Sequence, residues 1–240
     1  MYPIIHIENI DISSYYLMML VGFLAMGCVT LHRKKYYNMT TIQAWLFTTM
    51  VMVAGLIGCK LLFVLEGWPD TLKNGIISGG FSFFGAVFFV PIIMFICKRL
   101  FHLNTTQTFD ATALCGVTMV GSIRFGCFLN GCCGGLCVTI NEMSFCWPTQ
   151  AAESIGDFLI LFYLLSLQEK ESRAGELYPI FMFLYGTMRF AIEFFRDTPK
   201  DWLYLSHGQW FSILAVAIGG GLMCWNRNRK VAGDQYEKKT

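Results

Sequence analysis

Gly121-Ser-Ile-Arg-Phe-Gly-Cys-Phe-Leu-Asn-Gly-Cys-Cys-Gly-Gly135 is the stretch whose reading decides the fold. It begins at the far end of an apolar segment, which carries Arg124, and dissolves into glycines and cysteines. A guanidinium set in hydrocarbon costs on the order of several kcal/mol unless it has a partner or faces a water-filled cavity. The glycines beyond it let backbone N–H groups come close to an anionic headgroup. An arginine beside such a break marks a site, and the surrounding chain reads as the membrane frame that holds it.

Working outward, the composition supports that frame. Of 240 residues, 55% are hydrophobic and only 14% charged, well under the roughly 25% charge of soluble domains. The mean hydropathy is +0.52. Apolar spans of bilayer length are readable at roughly 14–31, 42–65, 79–97, 107–128, 148–167, 177–195 and 208–225. The expected fold is therefore all-α, a polytopic membrane protein of about seven transmembrane helices. It is read as one transmembrane domain over 1–240, with an outer-side Cys/Gly-rich loop at 129–147. The start carries acids and no basic n-region, so the first span reads as retained rather than cleaved.

Lysines and arginines set the expected orientation. With the N-terminus outside and the C-terminus cytoplasmic, twelve of the eighteen basic residues fall in cytoplasmic segments, from Arg33, Lys34 and Lys35 to Lys238 and Lys239. Lys73, Arg196 and Lys200 fall outside, and Lys60, Arg124 and Arg189 in or beside spans. That bias follows the positive-inside rule. The basic residues lie in short clusters between spans and make no nucleic-acid face. Arg124, Arg189 and Glu193 then share a depth near the outer leaflet.

The second charged stretch is Tyr185-Gly-Thr-Met-Arg-Phe-Ala-Ile-Glu-Phe-Phe-Arg196. Arg189 and Glu193 are four apart and share a helix face. They read either as a structural ion pair between spans or as an arginine held by its carboxylate and aimed at a lipid phosphate. Lys60 either snorkels to the interface or joins the site. Tyr15 opens the first span, where interfacial tyrosines are common. Glu153 follows a helix start and is either a helix-dipole partner or a site residue. His207, just before the last span, reads either as an outer-side general base or as a structural interfacial histidine. Five cysteines crowd together: Cys127, Cys132, Cys133, Cys137 and Cys146. Their spacing is not that of a zinc finger or a thiol oxidoreductase, so no metal or cofactor is expected. A disulfide within the loop is.

These motifs resemble the bacterial prolipoprotein diacylglyceryl transferase family. The family signature reads Gly-Arg-Ile-Gly-Asn-Phe-Ile-Asn-Gly-Glu with a glycine close behind. Arg124, Gly126, Phe128, Asn130, Gly131 and Gly135 match it in register. The run Arg189-Phe-Ala-Ile-Glu-Phe-Phe-Arg196 is similar to a second family motif. Fainter echoes are Tyr15, Gly58-Cys-Lys60, Pro148-Thr-Gln150 with Glu153, and Gly208-Gln209. The resemblance implies a multi-pass protein of the bacterial inner (plasma) membrane. It implies transfer of the diacylglyceryl group of phosphatidylglycerol to the cysteine thiol at the prolipoprotein signal peptide, with glycerol phosphate leaving. Arg124, Arg189, Glu193, Tyr15 and Cys127 are the expected catalytic residues. Arg124, Lys60, Asn130, Gly131, Gly135 and Glu153 are expected to bind this membrane lipid.

Three positions depart from the pattern. The family's histidine falls on Phe84, its signature asparagine on Cys127 and its glutamate on Cys132. A phosphatidylglycerol-dependent transferase with another acceptor, a non-catalytic lipid-binding protein and a membrane thiol oxidoreductase are the competing readings.

Overall fold

A computed structural model describes residues 3–7, 10–68, 82–101, 105–140, 143–168, 175–199 and 203–237. Among the described residues seven helices follow in chain order: α1 (Ser14–His32), α2 (Thr41–Glu66), α3 (Phe83–Phe101), α4 (Thr105–Asn130), α5 (Thr149–Gln168), α6 (Leu177–Glu193) and α7 (His207–Glu237). Two antiparallel hairpins join them, β1 (Ile4–Ile7) with β2 (Ile10–Ser13), and β3 (Cys137–Ile140) with β4 (Met143–Cys146). The hairpins were not expected from the sequence. Lys73, Lys170, Arg173, Lys200, Lys238, Lys239 and His102 lie outside the described residues.

Six of the helices, all but α6, are long and apolar enough to cross a membrane. The seventh, α6, has 17 residues. Its mostly buried surface packs against α5, α7 and α4. The polarity of the surface is inverted relative to a soluble globule. Leu24, Ile57, Ile92, Phe95, Leu159 and Phe162 point outward, while Asp110, Glu153, Asp157, Glu193 and Gln209 are buried. Exposed apolar faces around an interior that buries acids and an amide beside its apolar core fit a hydrocarbon solvent.

Helix α4 sits at the centre, against α1, α5, α3 and α6. Of its apolar window 67% is buried, against 28% for α1 and for α2. Its polar residues are tolerated because they face other helices rather than lipid. Asp110 shows how: its carboxylate accepts from the backbone N–H groups of Gly175 at 2.7 Å and Leu177 at 3.0 Å. A side chain of α4 thus caps the orphan donors at the start of α6. Small residues bring helices together elsewhere. At Gly219 of α7 an added Cβ would lie 2.7 Å from the Pro179 carbonyl oxygen of α6, the close backbone approach typical of membrane bundles.

Helix starts follow local chemistry. Thr40 and Gln43 form a reciprocal capping box at α2. Ser206 and Gln209 do the same at α7: the Gln209 N–H donates to Ser206 Oγ at 3.2 Å, and the Ser206 N–H donates to Gln209 Oε1 at 3.0 Å.

Candidate active site

The charged residues of α4, α5 and α6 meet at one point, and its hub is Glu153. Arg124 from α4 pairs through Nε with one carboxylate oxygen of Glu153, and Arg189 from α6 pairs through Nη1 with the other. Arg196, just past α6, approaches the same carboxylate at 3.4 Å. Glu153 is 2% exposed. The two arginines that the sequence placed at one depth do converge, and what lies between them is a carboxylate of the chain itself.

Glu193 forms a second centre one helical turn beyond Arg189. It pairs with Arg189 Nη2 at 2.7 Å, the i,i+4 pair expected from the sequence. Its Oε1 also accepts hydroxyl hydrogen bonds from Thr198 and Ser206, each at 3.0 Å. The Ser206 that caps α7 therefore also fixes Glu193, tying the start of α7 to the end of α6. Gly208 makes room for this: a Cβ there would stand 3.0 Å from the Glu193 carboxylate. Three guanidiniums and two carboxylates make up this ion-paired set among the described residues. Burial, then the guanidiniums of Arg189 and Arg124, make Arg196 give up its proton more readily than an ordinary arginine.

The glycines of the central stretch place these charges. Gly131 ends α4 at φ +75°. Its N–H donates to the Phe128 carbonyl at 3.3 Å, and the next N–H, of Cys132, donates to the Cys127 carbonyl at 3.2 Å. That is a Schellman stop, with glycine in the left-handed position it requires. Gly135 pairs with Arg196 in an isolated antiparallel bridge. The Leu136 N–H donates to the Phe195 carbonyl at 2.8 Å. A Cβ on Gly135 would run into the Phe195 and Trp147 carbonyl oxygens and Thr149. This glycine locks the loop after α4 to the segment that carries Arg196. At Gly126 an added Cβ would lie 2.9 Å from Met18, so the signature glycine there lets α1 lie close on α4.

A cavity of about 210 Å³ opens over this network. Arg124, Arg189, Arg196 and Glu193 line it, with Glu66, Tyr185, Cys133 and His207 around them. Its apolar floor includes Phe84, which packs on Tyr185 and Phe211. A cavity walled by guanidiniums over aromatic rings has the chemistry to hold an anion joined to apolar chains.

A family model described as prolipoprotein diacylglyceryl transferase matches residues 3–225. The chain belongs to this family. It is similar to the phosphatidylglycerol–prolipoprotein diacylglyceryl transferase of Clostridium tetani, 26% identical over 92% of this chain and 96% of that one. The enzyme of the same name from Dehalococcoides mccartyi strain 195 is 28% identical over 95% of each chain. That of Paracidovorax citrulli is 30% identical over 86% of this chain and 87% of its own.

Within this diacylglyceryl transferase framework, the remaining expected residues fall in different places. Tyr15 lies at the start of α1, within electrostatic reach of Arg124 and of Cys127, Cys132 and Cys133. Asn130 is the half-buried last residue of α4. Lys60 sits with its ammonium 5.2 Å over the Phe63 ring and is not among the residues lining the cavity. His207 does line it, on an exposed position. Phe84, where the resemblance places a histidine, also lines it, so the position is at the site although its chemistry has changed.

Sequence reasoning missed Glu66, Tyr185 and Asp157. Glu66, the last residue of α2, accepts from the Ser82 hydroxyl at 2.9 Å on the cavity wall. Tyr185 lines the cavity with its hydroxyl lacking a hydrogen-bond partner among the described residues. Asp157, one turn beyond Glu153, is fully buried with neither carboxylate oxygen hydrogen-bonded among the described residues. An acid inside an otherwise apolar span was the available signal.

The five crowded cysteines separate into two groups. Cys137 and Cys146 face each other across the β3–β4 hairpin and form a disulfide, as the sequence led us to expect. Cys127, Cys132 and Cys133 are free, and their sulfur atoms all lie within 4.8 Å of one another. Spacing along the chain pointed away from a ligand set; the Schellman turn creates the cluster by folding Cys132 and Cys133 back over Cys127. A hydrogen bond from the Cys127 thiol, with smaller help from Cys132, Arg124 and Arg196, outweighs burial and pulls the Cys133 thiol down to about 5.

Proposed function

We propose that this chain transfers the diacylglyceryl group of phosphatidylglycerol to the thiol of a prolipoprotein cysteine, releasing glycerol phosphate. The reaction takes place at the outer leaflet of the bacterial plasma membrane, with the N-terminus outside and the C-terminus in the cytoplasm. The observation that carries the reading is the cationic cavity built by Arg124, Arg189 and Arg196 around Glu153. In the reaction the acceptor sulfur forms a bond to the glyceryl carbon while the bond from that carbon to the phosphate oxygen breaks. Negative charge moves onto the departing phosphate. Preorganised cations in a poorly hydrated pocket are worth most at such a point. The carboxylates of Glu153 and Glu193 hold the guanidiniums in place beforehand. Arg124 is the phosphate ligand we assign first, with Arg189 and Arg196 beside it. Gly131 and Gly135 act by positioning, through the helix stop and the bridge to Arg196.

One observation favours a second reading. Phe84 lies on the cavity where the resemblance places a proton-transferring histidine, which supports a phosphatidylglycerol-dependent transferase with a different acceptor. The test is a turnover assay on purified protein in detergent, with labelled phosphatidylglycerol and a signal peptide bearing the acceptor cysteine. Lipidated peptide and glycerol phosphate in equal amounts are the expected result. Glycerol phosphate without lipidated peptide would favour the second reading. Neither product would overturn both.

A further inference from the structure

Three free thiols, one of them on the cavity wall and two behind it, call for an account of their own. Cys127 is buried in the last turn of α4, three residues past Arg124, Cys132 is half-buried, and Cys133 is exposed to the cavity. The cluster is held from several sides. The Cys132 N–H bonds the Cys127 carbonyl at 3.2 Å, and the buried amide of Gln150 donates to the Cys132 carbonyl at 2.7 Å. Cys133 is held at φ +61°, a backbone state that non-glycine residues adopt only when their surroundings over-determine it. The result is three sulfurs within 4.8 Å of one another. A zinc–sulfur bond of about 2.3 Å puts the sulfurs of a tetrahedral or trigonal set roughly 4 Å apart. A contraction of less than an ångström closes the set around an ion.

We propose that Cys127, Cys132 and Cys133 bind one zinc ion as three thiolates, leaving its fourth position open to the arginine cavity. Thiolates select soft cations of this class, and three protein ligands with an open fourth position are the arrangement of a catalytic rather than a structural zinc. Three thiolates around a divalent ion carry one net negative charge, within electrostatic reach of the Arg124 and Arg196 guanidiniums. On the reading given above, the open position receives the acceptor cysteine. A thiol that coordinates zinc loses its proton, here to water or to His207 on the cavity wall. The bound sulfur then forms its bond to the glyceryl carbon as the carbon–oxygen bond breaks and glycerol phosphate leaves. No oxidation or reduction takes place, and the ion supplies the thiolate at a site where Phe84 cannot accept a proton.

The test starts with the metal alone. Full-length protein is purified in detergent, reduced, equilibrated with zinc and passed over a desalting column, and its zinc is measured by mass spectrometry. About one tightly held zinc per chain is expected. Each of Cys127→Ser, Cys132→Ser and Cys133→Ser should lower retention at least tenfold, while the double variant Cys28→Ser/Cys224→Ser should retain the ion. Cobalt in place of zinc should give a near-ultraviolet sulfur-to-metal charge-transfer band that the same three variants lose. No retained metal, equal retention in the three variants, or a disulfide among these cysteines in the freshly purified protein would overturn the proposal. The peptide assay is scored separately. Zinc bound without peptide lipidation refutes the acceptor reading and leaves the metal site standing. Full lipidation by metal-free protein refutes the role of the ion.

Discussion

Asp110 and Glu153 are both buried carboxylates inside membrane-type helices, with 0% and 2% exposure, and they serve opposite ends. The partners of Asp110 are two backbone N–H groups at the start of α6. They cannot move without unwinding a helix, and they carry no net charge to offer a ligand. The partners of Glu153 are three arginine side chains on the wall of a cavity. A guanidinium paired on one edge still has donors on another. The difference teaches how to separate a structural acid from a functional one. What matters is whether its partners are fixed backbone or charged side chains with spare hydrogen-bonding capacity.

The largest effect should come from breaking the Glu153 side of this comparison. Glu153→Gln leaves two close guanidinium pairs unbalanced in a buried site, and breaking such a pair costs about 3–5 kcal/mol. Thermal unfolding in detergent should show the loss, and lipid turnover should fall by at least about a hundredfold per folded molecule. Asp110→Asn should separate the two ends. It weakens the cap on α6 by about 1–3 kcal/mol yet leaves turnover per folded molecule unchanged. A matching fall in turnover would dissolve the distinction.

Smaller effects sharpen it at the loop. Removing the hairpin disulfide with Cys137→Ser/Cys146→Ser should cost about 2–3 kcal/mol, read as a lower unfolding temperature, with lipid turnover retained. Gly131→Ala forces a side chain into the left-handed region and should cost about 1–2 kcal/mol. It should also loosen the cysteine turn, seen as faster alkylation of Cys127. The smallest effect is in pH. With the Cys133 pKa lowered to about 5, its thiolate is already present above that pH. Alkylation of Cys133 in metal-free protein should hold its rate from pH 8 down to about 6, whereas a thiol of ordinary pKa slows about tenfold per unit there. A tenfold-per-unit fall at Cys133 would contradict the assignment.

The frame was legible in the sequence because each apolar span is a local pattern. Helix α5 runs 149–168 where hydropathy placed 148–167, and α1 runs 14–32 where it placed 14–31. The pair Arg189–Glu193 was legible for the same reason, since four residues on a helix is a local distance. Glu153 as the hub was not. Its partners lie 29, 36 and 43 positions away on other segments, and only the packing of α4, α5 and α6 brings them together. The packing at Gly135 was not legible either: the sequence offered it as a headgroup contact, and the structure surrounds it with the carbonyls of Phe195 and Trp147. The hairpins and the cysteine cluster were hidden because both arise from turns, where spacing along the chain says little about spacing in space. Helix α6 covers Leu177–Glu193 within the 177–195 that hydropathy placed.

Arg124 is where the central claim is most exposed. Purified wild-type and Arg124→Ala protein would be compared in one detergent assay with labelled phosphatidylglycerol and the acceptor peptide, with circular dichroism showing that both are folded. The account predicts glycerol phosphate release by the wild type and a loss of at least about a hundredfold in the variant. Equal release by the two folded proteins would contradict it.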